Sequence, residues 1–244
     1  MTTLLGVFAH PDDDVTIGPL LAHYARRGVS TRLLYLTSGQ AGVNLVGPER
    51  GDELGSRRED EARAASRAYG IEEPLFSRAQ DGTLSTLTTQ DLLCLGERLS
   101  EIVRRLQPQV IITFGPDGYT RHGDHKATCS LVTDLLQNWG KADSPSPRLY
   151  YVALPKRAAV ALAAGGFPTW ALAWAHERYL TTEIDAADGI EAAIAALRCY
   201  RSQFSPADME MLQTLMRETL NGQIALRPGL VSVDPAQRAR DLFG

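Results

Sequence analysis

Residues 4–14, "LLGVFAHPDDD", pass from an unbroken apolar run to a histidine, a proline and three adjacent aspartates. The run "LLGVFA" (4–9) has the length of a buried strand, and "PDDDVTIGPLLAHYARRG" reads as a helix closing at Gly28. The same alternation continues outward. "STRLLYLTS" (30–38) is a second strand, followed by the Gly-rich loop "GQAGVNLVGPERGDELG". "SRREDEARAASRAYG" (56–70) is a helix with Ser56 as N-cap and a terminal glycine, and "PLFS" is a short strand. "TTQDLLCLGERLSEIVRRLQP" (88–108) is a helix and "QVIITFGP" (109–116) the most strand-like segment of the chain.

The helix "DHKATCSLVTDLLQNWG" (124–140) starts with Asp124 as N-cap, "KADSPSP" is a turn, and "RLYYVAL" (148–154) and "LTTEID" (180–185) are strands. "AADGIEAAIAALRCYRSQF" and "ADMEMLQTLMRETLNG" read as helical, and "GLVSV" as a short strand. This alternation predicts an α/β fold: a Rossmann-like, mostly parallel sheet with helices on both faces and an active site at the strand carboxyl ends. There is no internal repeat or low-complexity linker, so one domain over 1–244 is expected.

Composition narrows the function classes. The chain has 244 residues, 44% hydrophobic and 22% charged, enough for a sizeable core. A net charge of -4 argues against a general nucleic-acid or membrane-surface binder. "MTTLLGVFAH" has no basic region and too short an apolar run for a secretory signal, and no segment is long enough to span a membrane. Cys94, Cys129 and Cys199 are odd in number and form no CxxC pair, so they read as small buried residues in a reducing cytoplasm.

Three adjacent carboxylates repel one another, and Asp suits neither strand nor helix interiors. A bound cation and a helix N-terminus would offset that repulsion. Pro11 suits a first helical turn. A second histidine-rich stretch, "GPDGYTRHGDH" (115–125), follows "VIITF" and also lies at a strand's carboxyl end. His10, Asp12, Asp13, His122, Asp124 and His125 therefore share one edge of the sheet, and they include three of the five histidines. Two imidazoles and one carboxylate make a standard catalytic zinc set with a position open to water. Spacing alone lets either Asp12 or Asp13 be the ligand.

"AHPDDD" and "RHGDH" together resemble the paired motifs of the PIG-L/LmbE-like zinc-dependent deacetylases, which remove acetyl groups from N-acetylglucosamine conjugates and related amides. "LTSGQAG", "RREDEARAASRAYGI" and "ALRCYRSQF" extend the resemblance over about residues 1–205, which implies a catalytic core there and an extension over 206–244. The resemblance implies Zn²⁺ held by His10, Asp13 and His125, with Asp12 as general base. It implies His122 as the group that stabilises the oxyanion, as imidazolium, or protonates the leaving amine, and Asp124 as the residue orienting a neighbouring imidazole. It also implies Arg58 as a substrate contact, for which a helical ion pair with Glu61 is the alternative. Tyr119 lies one position off a catalytic tyrosine of some members, and His176 does not align with their late histidine. Asp14 stands where Glu is common, and Gly123 where proline is usual, which should loosen that loop.

The implied substrate is a small N-acetylated amino-sugar conjugate, with N-acetylglucosaminyl-malate the single best choice; thiol-conjugate amides and a non-catalytic metal- or sugar-binding role are the alternatives. The loop 39–55 and the region 155–180 should wall the pocket, with Arg50, Arg58 and Arg121 as carboxylate or sugar contacts. Trp170 and Trp174 read as core or oligomer contacts before sugar-stacking ones. Imidazole-rich ligation disfavours Mg²⁺ phosphoryl chemistry, and the chain lacks both GxxxxGK[ST] and a GxGxxG after the first strand. A homo-oligomer stays open, since nothing in the sequence fixes subunit number.

Overall fold

The computed structural model describes residues 2–139, 145–230 and 239–243. In chain order the strands and helices are β1 (Thr3–Phe8), α1 (Gly18–Arg26), β2 (Ser30–Thr37), α2 (Gly51–Tyr69), β3 (Leu75–Ala79), α3 (Thr89–Leu106) and β4 (Val110–Phe114). They continue with α4 (Gly118–Arg121), α5 (Gly123–Gln137), β5 (Arg148–Val152), β6 (Leu154–Pro155), α6 (Lys156–Ala164) and β7 (Trp174–Ala175). The last are β8 (Thr182–Asp185), α7 (Ile190–Leu197), α8 (Pro206–Thr214) and β9 (Gln223–Pro228).

Seven strands form the main sheet in the order β3-β2-β1-β4-β5-β9-β8. The first five run parallel, and β9 pairs antiparallel with both β5 and β8. All five residues of β4 and five of the six in β1 are buried. That is why they read as unbroken apolar runs: a parallel strand covered on both faces has no polar side. Burying each Val, Ile, Leu or Phe contributes about 1.5–3 kcal/mol. Helices α1, α2 and α7 pack together, and α3 packs with α5, which lies against β1 and β4. The chain moves from β1 towards β2 on one side and returns to β4 on the other, so the gap between their carboxyl ends is the switch point at which such sheets bind ligands.

Several local expectations change. The helix expected from Pro11 begins only at Gly18, with Pro19 in its first turn. Asp12 takes φ 108°, a left-handed conformation that no helix can continue through, and Asp13–Ile17 form a separate 3₁₀ turn. Helix α2 starts at Gly51, so Ser56 lies inside it rather than capping it. Its end at Gly70, with φ 78°, is as expected. The cap of α5 is His122, whose ring accepts the N–H of Asp124, rather than Asp124 itself.

The C-terminal strand is Gln223–Pro228, inside the sheet; Gly229 and Leu230 of "GLVSV" form a bend, and the rest of that segment, like residues 141–144 of "KADSPSP", lies outside the described residues. Cys94 is exposed, and so are Trp170 and Trp174, which are not core residues. Among the described residues no helix is long and apolar enough to cross a membrane.

Candidate active site

Strand β1 delivers His10 and the 3₁₀ turn after it; β4 delivers the segment from Gly115 through the start of α5. The two loops meet. The His10, His122 and His125 rings lie with centroids 4.9–5.3 Å apart. One nitrogen from each falls within 4.8 Å of the others, a spacing that a metal ion can bridge.

Asp13 sits between two of these rings. Its Oδ1 is 3.1 Å from Nε2 of His125 and its Oδ2 is 3.4 Å from Nδ1 of His10. Oδ2 also accepts the backbone N–H of His10 at 2.8 Å. The far nitrogen of each imidazole is already committed. His125 Nδ1 donates to the carbonyl of Gly118 at 2.9 Å, and the ring stacks on Phe114 at 3.9 Å. His10 Nε2 stands 3.0 Å from Asp81 and 3.5 Å from Asp124.

The electrostatics follow from this packing. Burial pushes the Asp13 carboxyl up, but His125 and His10 outweigh it and hold the pKa far below the usual carboxylate range. Burial lowers His10, yet its bonds to Asp124 and Asp13 leave the ring well above an ordinary histidine. Asp12 is pushed up to about 7, first by burial and against the pull of Arg58, with Asp13 and Asp14 adding to the rise. Neighbouring acids thus titrate apart, the pattern expected where one carboxylate must stay ionised and another must exchange a proton. His122 is held below the usual histidine value by burial and by the two neighbouring imidazoles. These effects, and the Asp124 N–H that its Nδ1 accepts, oppose the imidazolium expected from the motif.

The remaining expected residues are placed as follows. Arg58 is buried; its Nη1 donates to Gly39 O at 2.8 Å, and Nη2 to Pro11 O at 2.6 Å and towards Asp12 at 3.1 Å. It makes no helical pair with Glu61, which accepts from the N–H and hydroxyl of Ser202. Asp124 accepts from the N–H groups of Gly82 and Leu84, tying α5 to the loop after β3. Tyr119 and Arg121 have φ near 60° on either side of Thr120, a costly backbone at about 1–3 kcal/mol each of the kind that gathers at functional sites. Arg121 is exposed; Tyr119 lies inward. Gly123 is the first residue of α5, and a Cβ there would sit 2.9 Å from the Ser85 hydroxyl. His176 is exposed and caps a turn through Arg178 N–H.

Asp81 is a site residue that sequence reasoning missed. It is buried, holds His10 through one oxygen and accepts Ala41 N–H through the other. Asp14, the third acid, does not face the cluster. Its carboxylate is fully buried and accepts the hydroxyls of Tyr35, Tyr69 and Tyr200 at 2.6–2.8 Å, together with the N–H of Asp12.

A cavity of about 350 Å³ opens on Asp12, Asp13 and His125. Leu162, Phe167 and Leu172 help to line it, as expected for the region 155–180. The loop 39–55 contributes none of its lining, and α8 with the turn after it takes that place. Arg50 instead bonds to the carbonyls of Gly47 and Glu49.

Fold and site together define an α/β protein with an imidazole–carboxylate cluster, suited to a divalent ion, at the switch point of a parallel sheet. Residues 5–136 match the family model described as PIG-L, GlcNAc-PI de-N-acetylase, and the chain belongs to that family. It is 31% identical to the 1D-myo-inositol 2-acetamido-2-deoxy-alpha-D-glucopyranoside deacetylase of Mycolicibacterium vanbaalenii, over 83% of this chain and 81% of that protein. The fold resembles the N,N'-diacetylchitobiose deacetylase of Pyrococcus horikoshii (TM-score 0.70, 20% identity, 94% of this chain and 85% of that one). It resembles equally the 4-carboxy-2-hydroxymuconate hydratase of Pseudomonas putida (TM-score 0.71, 19% identity, 96% and 98%). The fold thus hosts more than one reaction, and the chemistry has to be argued from the site.

Proposed function

We propose that this chain is a cytoplasmic zinc-dependent hydrolase that removes the acetyl group from the amide of an N-acetylglucosamine conjugate, its 244 residues forming one catalytic domain. Among conjugates, N-acetylglucosaminyl-malate and the inositol conjugate named for the relatives are the first to test, with thiol-conjugate amides next.

One observation carries the metal assignment. His125 donates through Nδ1 to Gly118, which leaves Nε2 to face Asp13 Oδ1, 3.1 Å away, with a lone pair whenever the ring is free to ligate. Two acceptors at that distance repel unless a proton or a cation lies between them. His10, Asp13 and His125 are the residues that would hold the ion, each imidazole anchored from behind by a protein acceptor, as ligating histidines commonly are. When bound, Zn²⁺ supplies a Lewis acid for the amide carbonyl and brings a water's pKa towards ~7.

The other roles belong to the protein's own side chains. Asp12, with its pKa near neutrality, takes the proton of the attacking water. Arg58 holds Asp12 in place and fixes the strained turn through Pro11. His122 accepts the Asp124 N–H on Nδ1, so the neutral ring carries its proton on Nε2 and can donate it to the developing oxyanion. Asp124 braces His10 and, through Gly82 and Leu84, the loop carrying Asp81. Tyr119 and Arg121 contact the sugar conjugate.

Acetate release from a panel of these conjugates, before and after chelation and after Zn²⁺ is restored, tests the reading. Release that is abolished by chelator and recovered with zinc supports it. Full activity in the chelated, metal-free protein overturns the metal assignment, and no acetate from any conjugate overturns the reaction.

A further inference from the structure

We propose that the substrate carries an apolar group next to the scissile amide, seated in the cavity beside Asp12, Asp13 and His125. This rests on the amide-hydrolase reading above and concerns what that site accepts. The cavity wall is built by Leu162 and Leu172, by Met211, Leu212 and Leu215 of α8 and its following turn, and by Ile224 of β9. Most of these residues belong to a second hydrophobic cluster beside the main core, to which Ile224 belongs.

Most of the neutral and acidic polar groups in the same wall are already committed, the Tyr119 hydroxyl excepted. Gln203 donates its amide to Val43 O and to the Ser202 hydroxyl, and Asp208 accepts the N–H and hydroxyl of Ser205. Thr16 donates to Asp13 O, and the Thr120 hydroxyl meets His125 Nδ1. A sugar or inositol ring pushed into this space would bury hydroxyls with few partners, which is costly. An aliphatic or aromatic group would bury there at a gain. At about 350 Å³ the space falls within the range of small-molecule pockets.

The apolar group can sit on either side of the amide, in the acyl chain or in the aglycone, and two substrate series separate these sources. The acyl series is N-acetyl-, N-butyryl- and N-octanoyl-glucosamine; the aglycone series is methyl and octyl 2-acetamido-2-deoxyglucosides. With the zinc-loaded protein, kcat/KM should rise at least tenfold along one series, since each buried CH₂ is worth roughly fourfold. The gain should appear mainly in KM, and Leu212→Asp, a half-buried wall position, should erase it.

A flat or falling trend in both series, with the acetylated parent still hydrolysed, overturns the proposal and leaves the hydrolase reading intact. A gain that survives Leu212→Asp overturns the location. If nothing is hydrolysed, calorimetric titration decides: tenfold tighter binding of the octyl than the methyl glucoside keeps the apolar site while the hydrolase reading falls. Equal binding of the two overturns the site.

Discussion

Arg58 Nη2 stands 3.1 Å from Oδ1 of Asp12 and donates to the carbonyl of Pro11, one residue earlier, at 2.6 Å. One buried guanidinium from α2 thus grips the side chain of a residue held at φ 108° and the backbone carbonyl just before it. Removing the carboxylate should remove the base without touching the three proposed ligands. Asp12→Asn is expected to lower kcat by roughly 10²–10⁴-fold with zinc content unchanged. Metal analysis beside steady-state kinetics checks it, and wild-type turnover by the variant would assign the base elsewhere.

The imidazole of His10 is braced from behind by Asp81, at 3.0 Å from Nε2. Such outer partners commonly set metal affinity by about 10–100-fold. Asp81→Asn should weaken zinc binding within that range, read by competition with a chromogenic chelator, and restore activity at high zinc. His125→Ala, which deletes a proposed ligand, should bind no stoichiometric zinc at any practical concentration.

The strands that carry the site were readable because buried parallel strands leave continuous apolar runs, as "LLGVFA" and "VIITF" do. The histidines and aspartates that end those runs were readable by their chemistry. Asp81 was not. It is a single acid in an Asp-Gly turn after an edge strand, a pattern that signals only a turn, and its partner His10 meets it solely through the sheet order. The start of α2 was misread for a similar reason. Residues 51–55 include two glycines and no capping side chain, and Gly55 is helical because its bare Cα packs beside Ser38 and Gln40, where a Cβ would come within 3.2–3.3 Å. His122 as a helix cap was hidden because imidazole rings rarely serve as caps. The sequence left the role of Asp14 open; three phenols far apart in the chain turn it inward.

Those phenols give a pH-dependent prediction. Burial raises the pKa of Asp14, and the three tyrosine hydroxyls oppose the rise by bonding the ionised form. Tyr69 is the donor to Oδ2, and Oδ1 keeps the other two. Tyr69→Phe therefore penalises the ionised carboxylate and largely spares the protonated one. A loss of about 1–3 kcal/mol is expected, larger at pH 8 than at pH 5, in urea unfolding at the two values. An equal loss at both would mean that the hydroxyl contributes packing alone.

Glu59 ties three elements together away from the site. Its carboxylate accepts from Ser38 after β2, from Arg63 on its own helix and from Arg78 at the end of β3. Burial raises its pKa, but Arg78, Ser38 and Arg63 outweigh that and leave it below the ordinary glutamate value. A depressed carboxylate contributes stability that is fully present above its unfolded pKa of about 4.3 and is lost as the pH falls through the lower folded value. Glu59→Gln should cost about 1–2 kcal/mol at pH 7, and its deficit against the wild type should shrink below pH 4, where the native carboxyl takes up its proton. Thermal unfolding across that range decides the matter: a deficit that stayed constant into acid would show that the charge of Glu59 does not hold β2, α2 and β3 together.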